Sequence, residues 1–433
     1  MMFSRVTAWC AISLVVIGCA SPAPTMPTPV PSVLTATPGP GPGTNTASPP
    51  VAAPAPPPTP TLPTLSIVAD SQLGFDLYAA GNTLFVVAPQ PYLTRVLFAV
   101  AEADGLREVP ELAQGLDLGE HVQTIERLVG TWPGTLWLQT LDVDPEKTPE
   151  DPDWTSRFFR HDAAGWKALR FKSNARYPIV WVDGPNCLVG LQGGSRVKGT
   201  KRVAADCPGR RAPVVQLDDV RDAYRMSTTV TSPAGDVGVL EESADPPRFR
   251  VEILGNQDVP KRSTAPIPLP VAVDAYAMDF VVGPKSLVVH STSNAYLGGI
   301  LKPRGGAAPG KDASIFFRFD GNAWAVLETP PLTDVPLFTV AEDGTVILAV
   351  PSAGKGDEDF SLWFLPPKGS WEKRYTFRNP VGPGLSHPYQ IRARSTEDIW
   401  VACSTPENGS YRMRVVHTGE KKAVWRPTKE AAH

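Results

Sequence analysis

Gly81-Asn82-Thr83-Leu84-Phe85-Val86-Val87 pairs a turn with an unbroken apolar run too short for a helix. Glycine and asparagine tolerate the backbone of a tight turn, and β-branched and aromatic residues fit a strand. The same turn-plus-run returns at Gly134-Thr135-Leu136-Trp137-Leu138, Pro185-Asn186-Cys187-Leu188-Val189 and Gly235-Asp236-Val237-Gly238-Val239. It returns again at Pro284-Lys285-Ser286-Leu287-Val288-Val289, Asp343-Gly344-Thr345-Val346-Ile347-Leu348 and Glu397-Asp398-Ile399-Trp400-Val401. Taking Leu84, Leu136, Leu188, Val237, Leu287, Val346 and Ile399 as markers, the intervals are 52, 52, 49, 50, 59 and 53 residues. A period held over seven units marks a repeat architecture, in which no unit buries its apolar faces alone.

Each unit carries further parts. A strand-like run precedes the marker, as in Tyr177-Pro178-Ile179-Val180-Trp181-Val182 or Leu337-Phe338-Thr339-Val340. A third run follows it, as in Arg95–Val100, Ser156–Arg160 or Ile315-Phe316-Phe317-Arg318-Phe319. A turn and a fourth run close the unit, often with tryptophan: Trp166, Trp324, Trp371 and finally Trp425. Four antiparallel strands repeating about every 50 residues describe the blade of a β-propeller. The expectation is an all-β chain with a propeller over residues 65–433, most consistent with seven four-stranded blades. Units three and four lack the closing tryptophan and unit four has Gly238 inside its second run, so six or eight blades stay open. The repeats resemble degenerate propeller repeats of bacterial exported proteins, without the Gly-His and Trp-Asp marks of tryptophan–aspartate repeats or the Gly-Gly pairs of kelch repeats. That resemblance speaks to fold rather than function.

Upstream of the repeats the chemistry changes. Arg5 is the sole charged residue before Asp70, and it precedes an apolar stretch ending in Leu14-Val15-Val16-Ile17-Gly18-Cys19-Ala20. A short positive region, an apolar stretch of about 12 residues and small residues at the cut describe a secretory signal. It is shorter than the roughly 20 residues that span a bilayer. Val16-Ile17-Gly18-Cys19 resembles the lipobox of bacterial lipoproteins. The resemblance implies a signal peptide over residues 1–18, removal before Cys19, and acylation of the Cys19 thiol and of the new amino terminus. It places the protein lipid-anchored in a bacterial cell envelope, with the outer membrane favoured because Ala20 is not acidic. Residues 19–64 are then a linker rich in Pro, Thr and Ala, a composition expected to stay disordered. In extended polyproline II form it reaches up to roughly 130 Å.

The net charge of −3 falls to a slightly more acidic value for the body once Arg5 is set aside. Such a domain has no basic field for nucleic acid. With Cys10 in the signal and Cys19 as lipid site, Cys187, Cys207 and Cys403 remain. Cys187 begins the second run of unit three and Cys207 ends its third, so a hairpin centred near Val197 brings them face to face, and an oxidising compartment permits a disulfide. Cys403 reads as a small buried residue.

Catalytic motifs are missing. His121, His161, His290, His387, His417 and His433 show no metal-ligand spacing, no cysteine pair has zinc spacing, and no Gly-x-Ser-x-Gly elbow occurs. Asp320-Gly321-Asn322-Ala323-Trp324 falls short of the Ser-x-Asp-x-Gly-x-x-Trp turn of sialidase-type propellers, since Arg318 stands where a hydroxyl residue belongs. Gly305–Lys311 opens like a Walker A phosphate loop, but Asp312 replaces the hydroxyl that binds magnesium. The acidic clusters Asp142-Val143-Asp144-Pro145-Glu146 and Glu150-Asp151-Pro152-Asp153 lack the spacing and glycine of a calcium loop. The basic stretch Arg196, Lys198, Lys201, Arg202, Arg210 and Arg211 reads as a solvated face, with an anionic envelope component as the functional alternative.

No cofactor or metal is expected. The expected role is a non-catalytic binding or scaffold module of the cell envelope with a protein or glycan partner. The alternative is an enzyme or small-ligand protein using the central channel, where Asp183, Arg392 and Arg394 lie on or beside first strands.

Overall fold

Runs such as Leu84–Val87 lack the alternation of a strand with one wet face, and the strand pairing gives the reason. The computed structural model describes residues 62–89, 96–118, 122–143, 154–169, 180–182, 186–192, 200–207, 215–217, 237–244, 247–254, 262–269, 278–281, 286–303, 313–332, 335–352, 358–380, 385–407, 409–419 and 423–427. Among the described residues the strands form seven antiparallel sheets that follow one another along the chain, the blades of a β-propeller.

Blade 1 runs from the inner strand Asp76–Ala80 through Thr83–Pro89 and Val96–Glu102 to the outer strand Gly105–Glu108. Blade 2 comprises Val122–Gly130, Leu136–Val143, Trp154–Asp162 and Gly165–Leu169. Blade 3 comprises Val180–Val182, Leu188–Gln192, Thr200–Asp206 and Val215–Leu217. Blade 4 shows Val237–Ala244, Pro247–Leu254 and Arg262–Ser263 among the described residues. Blade 6 comprises Leu337–Val340, Val346–Pro351, Phe360–Leu365 and Glu372–Phe377.

Two blades correct the sequence reading. In blade 5 both Met278–Val281 and Leu287–Ser291 pair with the long strand Asn294–Pro303, which continues to Ala313–Phe319 and Trp324–Val326. The fifth marker, Leu287, therefore lies in an interrupted first strand rather than in the second. Blade 7 takes His387–Ser395, Asp398–Glu407 and Ser410–His417 from the end of the chain, but its outer strand is Ser66–Ser71. Trp425 does not close a strand of its own; it forms a bridge to Ala69 on that outer strand. Borrowing one strand from the opposite end of the sequence fastens the ring. Pro63 and Thr64, expected to end the linker, already bond to the edge of blade 6 through Thr376.

The core lies in layers between successive blades. Leu84, Val86 and Ala88 pack with Trp400, Ala402 and Val415 of blade 7, whereas Phe85 and Val87 pack with Leu136, Leu138 and Phe159 of blade 2. Blade 6 repeats the division: Val346 and Leu348 meet Phe316 of blade 5, and Ile347 and Ala349 meet Ile399, Val401 and Cys403 of blade 7. Successive side chains point to opposite faces, both faces are covered, and so every position in the run is apolar. Gly238, a blemish in the sequence repeat, has a steric reason. A Cβ there would collide with Val289 and lie 3.0 Å from Leu287 Cδ2, both of blade 5.

Indole N–H groups bridge the same junctions. Trp166 of blade 2 donates to the Leu112 carbonyl at 2.7 Å, in the segment that follows blade 1. Trp324 of blade 5 donates to Thr264 Oγ1 at 3.0 Å, just beyond blade 4. Trp371, at the start of the outer strand of blade 6, donates to the Glu328 carbonyl at 2.6 Å, just beyond blade 5. The closing tryptophans of the repeat are thus fasteners between neighbours.

Blade 3 is docked by other means. Cys187 and Cys207 are joined, with Cα atoms 4.2 Å apart. Their sequence neighbours reach blade 2: Asn186 Oδ1 accepts from Thr135 Oγ1 at 3.2 Å, and Asp206 Oδ2 accepts from Trp137 Nε1 at 2.8 Å. The bridge therefore holds together the two residues through which blade 3 grips its neighbour.

His161 sits where blades 1 and 2 meet, its ring 5.7 Å from Trp132 and 5.0 Å from Trp166. Its buried Nδ1 has no hydrogen-bond partner, and burial lowers its pKa against the opposing pull of Asp162 and Glu111. The unfolded chain then binds this proton more readily than the folded one, so stability rises with pH across the window between the folded value and about 6.5. Lowering the pH through that window is expected to destabilise the domain, and His161→Gln should remove this part of the dependence. Denaturant titrations of both proteins between pH 5 and 8 check it, and identical profiles would refute it.

Candidate functional site

Inner strands of neighbouring blades lie side by side along the axis, with Asp76–Ala80 of blade 1 between His387–Ser395 of blade 7 and Val122–Gly130 of blade 2. Polar residues interrupt the apolar pattern of all three: Asp76 and Tyr78, then Glu126 and Arg127, then Tyr389, Gln390 and Arg392.

Several of these groups are committed to the scaffold. The Gln390 carboxamide accepts from Leu77 N at 2.9 Å and donates to Leu77 O at 2.8 Å, so it pairs with the blade 1 backbone as a strand would. The Tyr389 hydroxyl donates to Phe75 O at 2.8 Å and accepts from Phe75 N at 3.3 Å. The Tyr78 hydroxyl donates to Ile125 O of blade 2 at 2.6 Å. Both phenols are pinned by their oxygens.

The charges gather around Tyr78, whose hydroxyl feels Asp76, Glu126, Arg392 and Arg127 together. Burial first, then Asp76 and Glu126, hold the Tyr78 pKa well above that of a free phenol. Burial and then Asp76 raise Tyr389 likewise. Arg127 is lowered to about 10, chiefly by burial, with Arg392 pushing in the same direction and Glu126 and Tyr78 opposing. Burial also lowers Arg392, against Tyr78 and Asp76. Yet the Tyr389 residue is 38% exposed. The inner strands of blades 7, 1 and 2 therefore bring together an accessible tyrosine, two half-buried guanidinium groups and the carboxylates of Asp76 and Glu126.

A second polar group belongs to blade 7 alone. Asp398 Oδ1 accepts from His417 Nε2 at 2.8 Å and Trp400 Nε1 at 2.6 Å, and Oδ2 accepts from Arg394. Burial raises the Asp398 carboxyl, but these three donors outweigh it and hold the carboxyl well below the usual range. An Asp–His pair invites comparison with a hydrolase relay. Here His417 Nδ1 accepts from Gly419 N at 2.8 Å, so no hydroxyl nucleophile occupies the atom that would serve as base. The arrangement ties the turn before Asp398–Glu407 to the end of Ser410–His417.

Of the three channel residues named from sequence, Arg392 joins the cluster, Arg394 turns to Asp398 instead, and Asp183 lies outside the described residues. Cys19, His121, His433, the Gly305–Lys311 stretch, Asp144–Glu146, Glu150–Asp153, Arg196, Lys198, Arg210 and Arg211 lie outside them as well, and of the Asp142, Lys201 and Arg202 side chains nothing is described. Asp320 caps its own turn, accepting from Asn322 N at 2.8 Å and Ala323 N at 2.9 Å. Sequence reasoning missed Asp76, Tyr78, Glu126, Arg127, Tyr389 and Gln390. Their signal was polar residues set within the strand-like run that precedes a marker.

No protein-family description matches the sequence, and no curated protein matches it. Among solved structures the chain is similar to the polysaccharide lyase Uly1, at 10% identity and a TM-score of 0.47 over 80% of this chain and 90% of that one. It is similar to the β-propeller domain of the Trilobed protease from Pyrococcus furiosus, at 11% identity and a TM-score of 0.42 over 84% and 97%. It is also similar to Trypanosoma rangeli sialidase in complex with sialic acid, at 9% identity and a TM-score of 0.39 over 82% and 54%.

Proposed function

We propose that this chain is an exported propeller, anchored by lipid on Cys19, that binds a glycan of the cell envelope at the inner strands of blades 7, 1 and 2. The observation that carries the reading is the gathering of Asp76, Glu126, Arg127 and Arg392 around Tyr78, with the Tyr389 ring open beside them. Sugar hydroxyls both donate and accept, so carboxylates and guanidinium groups satisfy them in pairs, and aromatic faces cover the apolar side of a sugar ring. Two acidic and two basic residues leave the cluster without a net field, so short-range bonding rather than long-range attraction selects the ligand.

Binding rather than turnover is favoured by the phenols. Each is pinned to a backbone carbonyl and its pKa is raised, which makes a poor base at neutral pH. The enzyme reading rests on Asp76 and Glu126, two carboxylates that both act on Tyr78.

Full-length protein in detergent, titrated calorimetrically with envelope oligosaccharides, tests the proposal. At least one oligosaccharide is expected to bind saturably, and Asp76→Ala to weaken it while circular dichroism shows the variant still folded at the assay temperature. No binding across the panel defeats the glycan reading, and turnover abolished by Asp76→Asn replaces it with the enzyme reading. Cys19→Ser is expected to move the protein from the membrane to the soluble fraction; retention at the membrane defeats the anchoring.

A further inference from the structure

The donors of the channel cluster are unequally used. Gln390 spends its carboxamide on Leu77, and the hydroxyls of Tyr78 and Tyr389 are spent on Ile125 and Phe75. Arg392 differs. Among the described residues its guanidinium makes one hydrogen bond, from Nη1 to the Ile391 carbonyl at 3.1 Å, and no ion pair within contact distance. A guanidinium has five N–H donors, so most of this one is uncommitted. Nor are those donors sealed in protein. Arg392 is half-buried, and among the described residues the buried atoms without a partner include Nε of Arg160, Arg318 and Arg414 but no atom of Arg392. A largely enclosed, permanently charged fork with open donors needs a partner from the channel side.

Resting on the glycan reading, we infer that the ligand carries a carboxylate and that Arg392 is the residue that takes it. A carboxylate presents two oxygens in one plane, which match two parallel N–H groups of the fork. Neutral hydroxyls satisfy single donors but match neither the plane nor the charge of the fork. Asp76, close enough to act on Arg392, favours the charged guanidinium, whose donors other than the Nη1 bond to Ile391 stay uncommitted among the described residues. The specificity follows: an acidic sugar is preferred over its neutral counterpart of the same size and stereochemistry.

The test uses full-length protein in detergent and matched pairs, glucuronate against glucose and galacturonate against galactose, as short oligomers. Hydrogen bonds to a charged group contribute about 1.5–3 kcal/mol, so the acidic member is expected to bind roughly 10- to 100-fold more tightly. Arg392→Gln should reduce the two members of a pair to equal affinity. Arg392→Lys, which keeps the charge but not the fork, should restore only part of the preference. Equal affinities in the unaltered protein, or a preference untouched by Arg392→Gln, overturn this inference while leaving the glycan reading standing. Failure of every pair to bind defeats both.

Discussion

Replacing Asp70 by alanine is expected to lower the unfolding free energy by about 3–5 kcal/mol, the cost of breaking a buried charge network by removing one partner. Asp70 lies on Ser66–Ser71, the strand that fastens the ring. Its carboxylate takes the Arg412 fork, Nε at 2.6 Å and Nη2 at 3.0 Å, and Nε of Arg414 lies 3.5 Å away. Arg412 is partly exposed and finds water when its partner goes. Arg414 is only 2% exposed, and its remaining contacts are Asn379 Oδ1 at 2.9 Å and Glu407 at 3.7 Å. Alanine therefore leaves this buried cation with Glu407 as its one remaining counter-charge among the described residues, at the seam that fastens the ring. Asp70→Asn keeps the shape and loses the charge, so it should fall between the two. Denaturant titration reads the loss, and a change under 1 kcal/mol for Asp70→Ala would show that the seam does not depend on this carboxylate.

Gln390→Leu is expected to be similarly damaging through a different mechanism. Gln390 is fully buried and replaces a strand partner for both the N–H and the carbonyl of Leu77. Leucine preserves the volume, so no cavity forms, but two buried backbone groups lose their bonds. Each unsatisfied group costs about 1–3 kcal/mol, giving roughly 2–6 kcal/mol for the pair. Hydrogen exchange should show Leu77 losing protection ahead of the rest of Asp76–Ala80. Retained protection at Leu77 would contradict the pairing, and Gln390→Glu, which accepts but does not donate, separates the two bonds.

The repeat was legible because burial on both faces leaves an uninterrupted apolar run, and Leu84, Leu136, Leu188, Val346 and Ile399 all fall in second strands. The fifth misled for a physical reason. Leu287-Val288-Val289 is apolar because it too is buried, whereas the true second strand carries Gly298 and Gly299 and looks broken. A Cβ on Gly298 would lie 3.0 Å from Pro336 Cβ of blade 6, so the glycine is the fee for close blade contact. Ser66–Ser71 could not be placed from local pattern, since its partner Ser410–His417 stands at the other end of the chain. The channel cluster was hidden by the same closure. Asp76, Arg127 and Arg392 come from three blades, and no spacing within one unit announces that they converge.

The outer strand of blade 7 also decides how the domain meets mechanical tension. A pull from the N-terminal side enters at Pro63 and Thr64, whose bonds to Thr376 belong to blade 6, before it reaches the ladder on blade 7. Ser66–Ser71 is held on one side by Ser410–His417 and on the other by Trp425, whose N–H and carbonyl bond to Val68 and Asp70. Force directed along the strand shears these bonds together, while force directed away from the blade peels them from the Ser66 end. Peeling arrives last at Asp70, so the ionic fork acts as the stop at the end of the zipper. Resistance is thereby concentrated where the chain enters the ring, and direction of pull, more than its size, sets whether the ring opens.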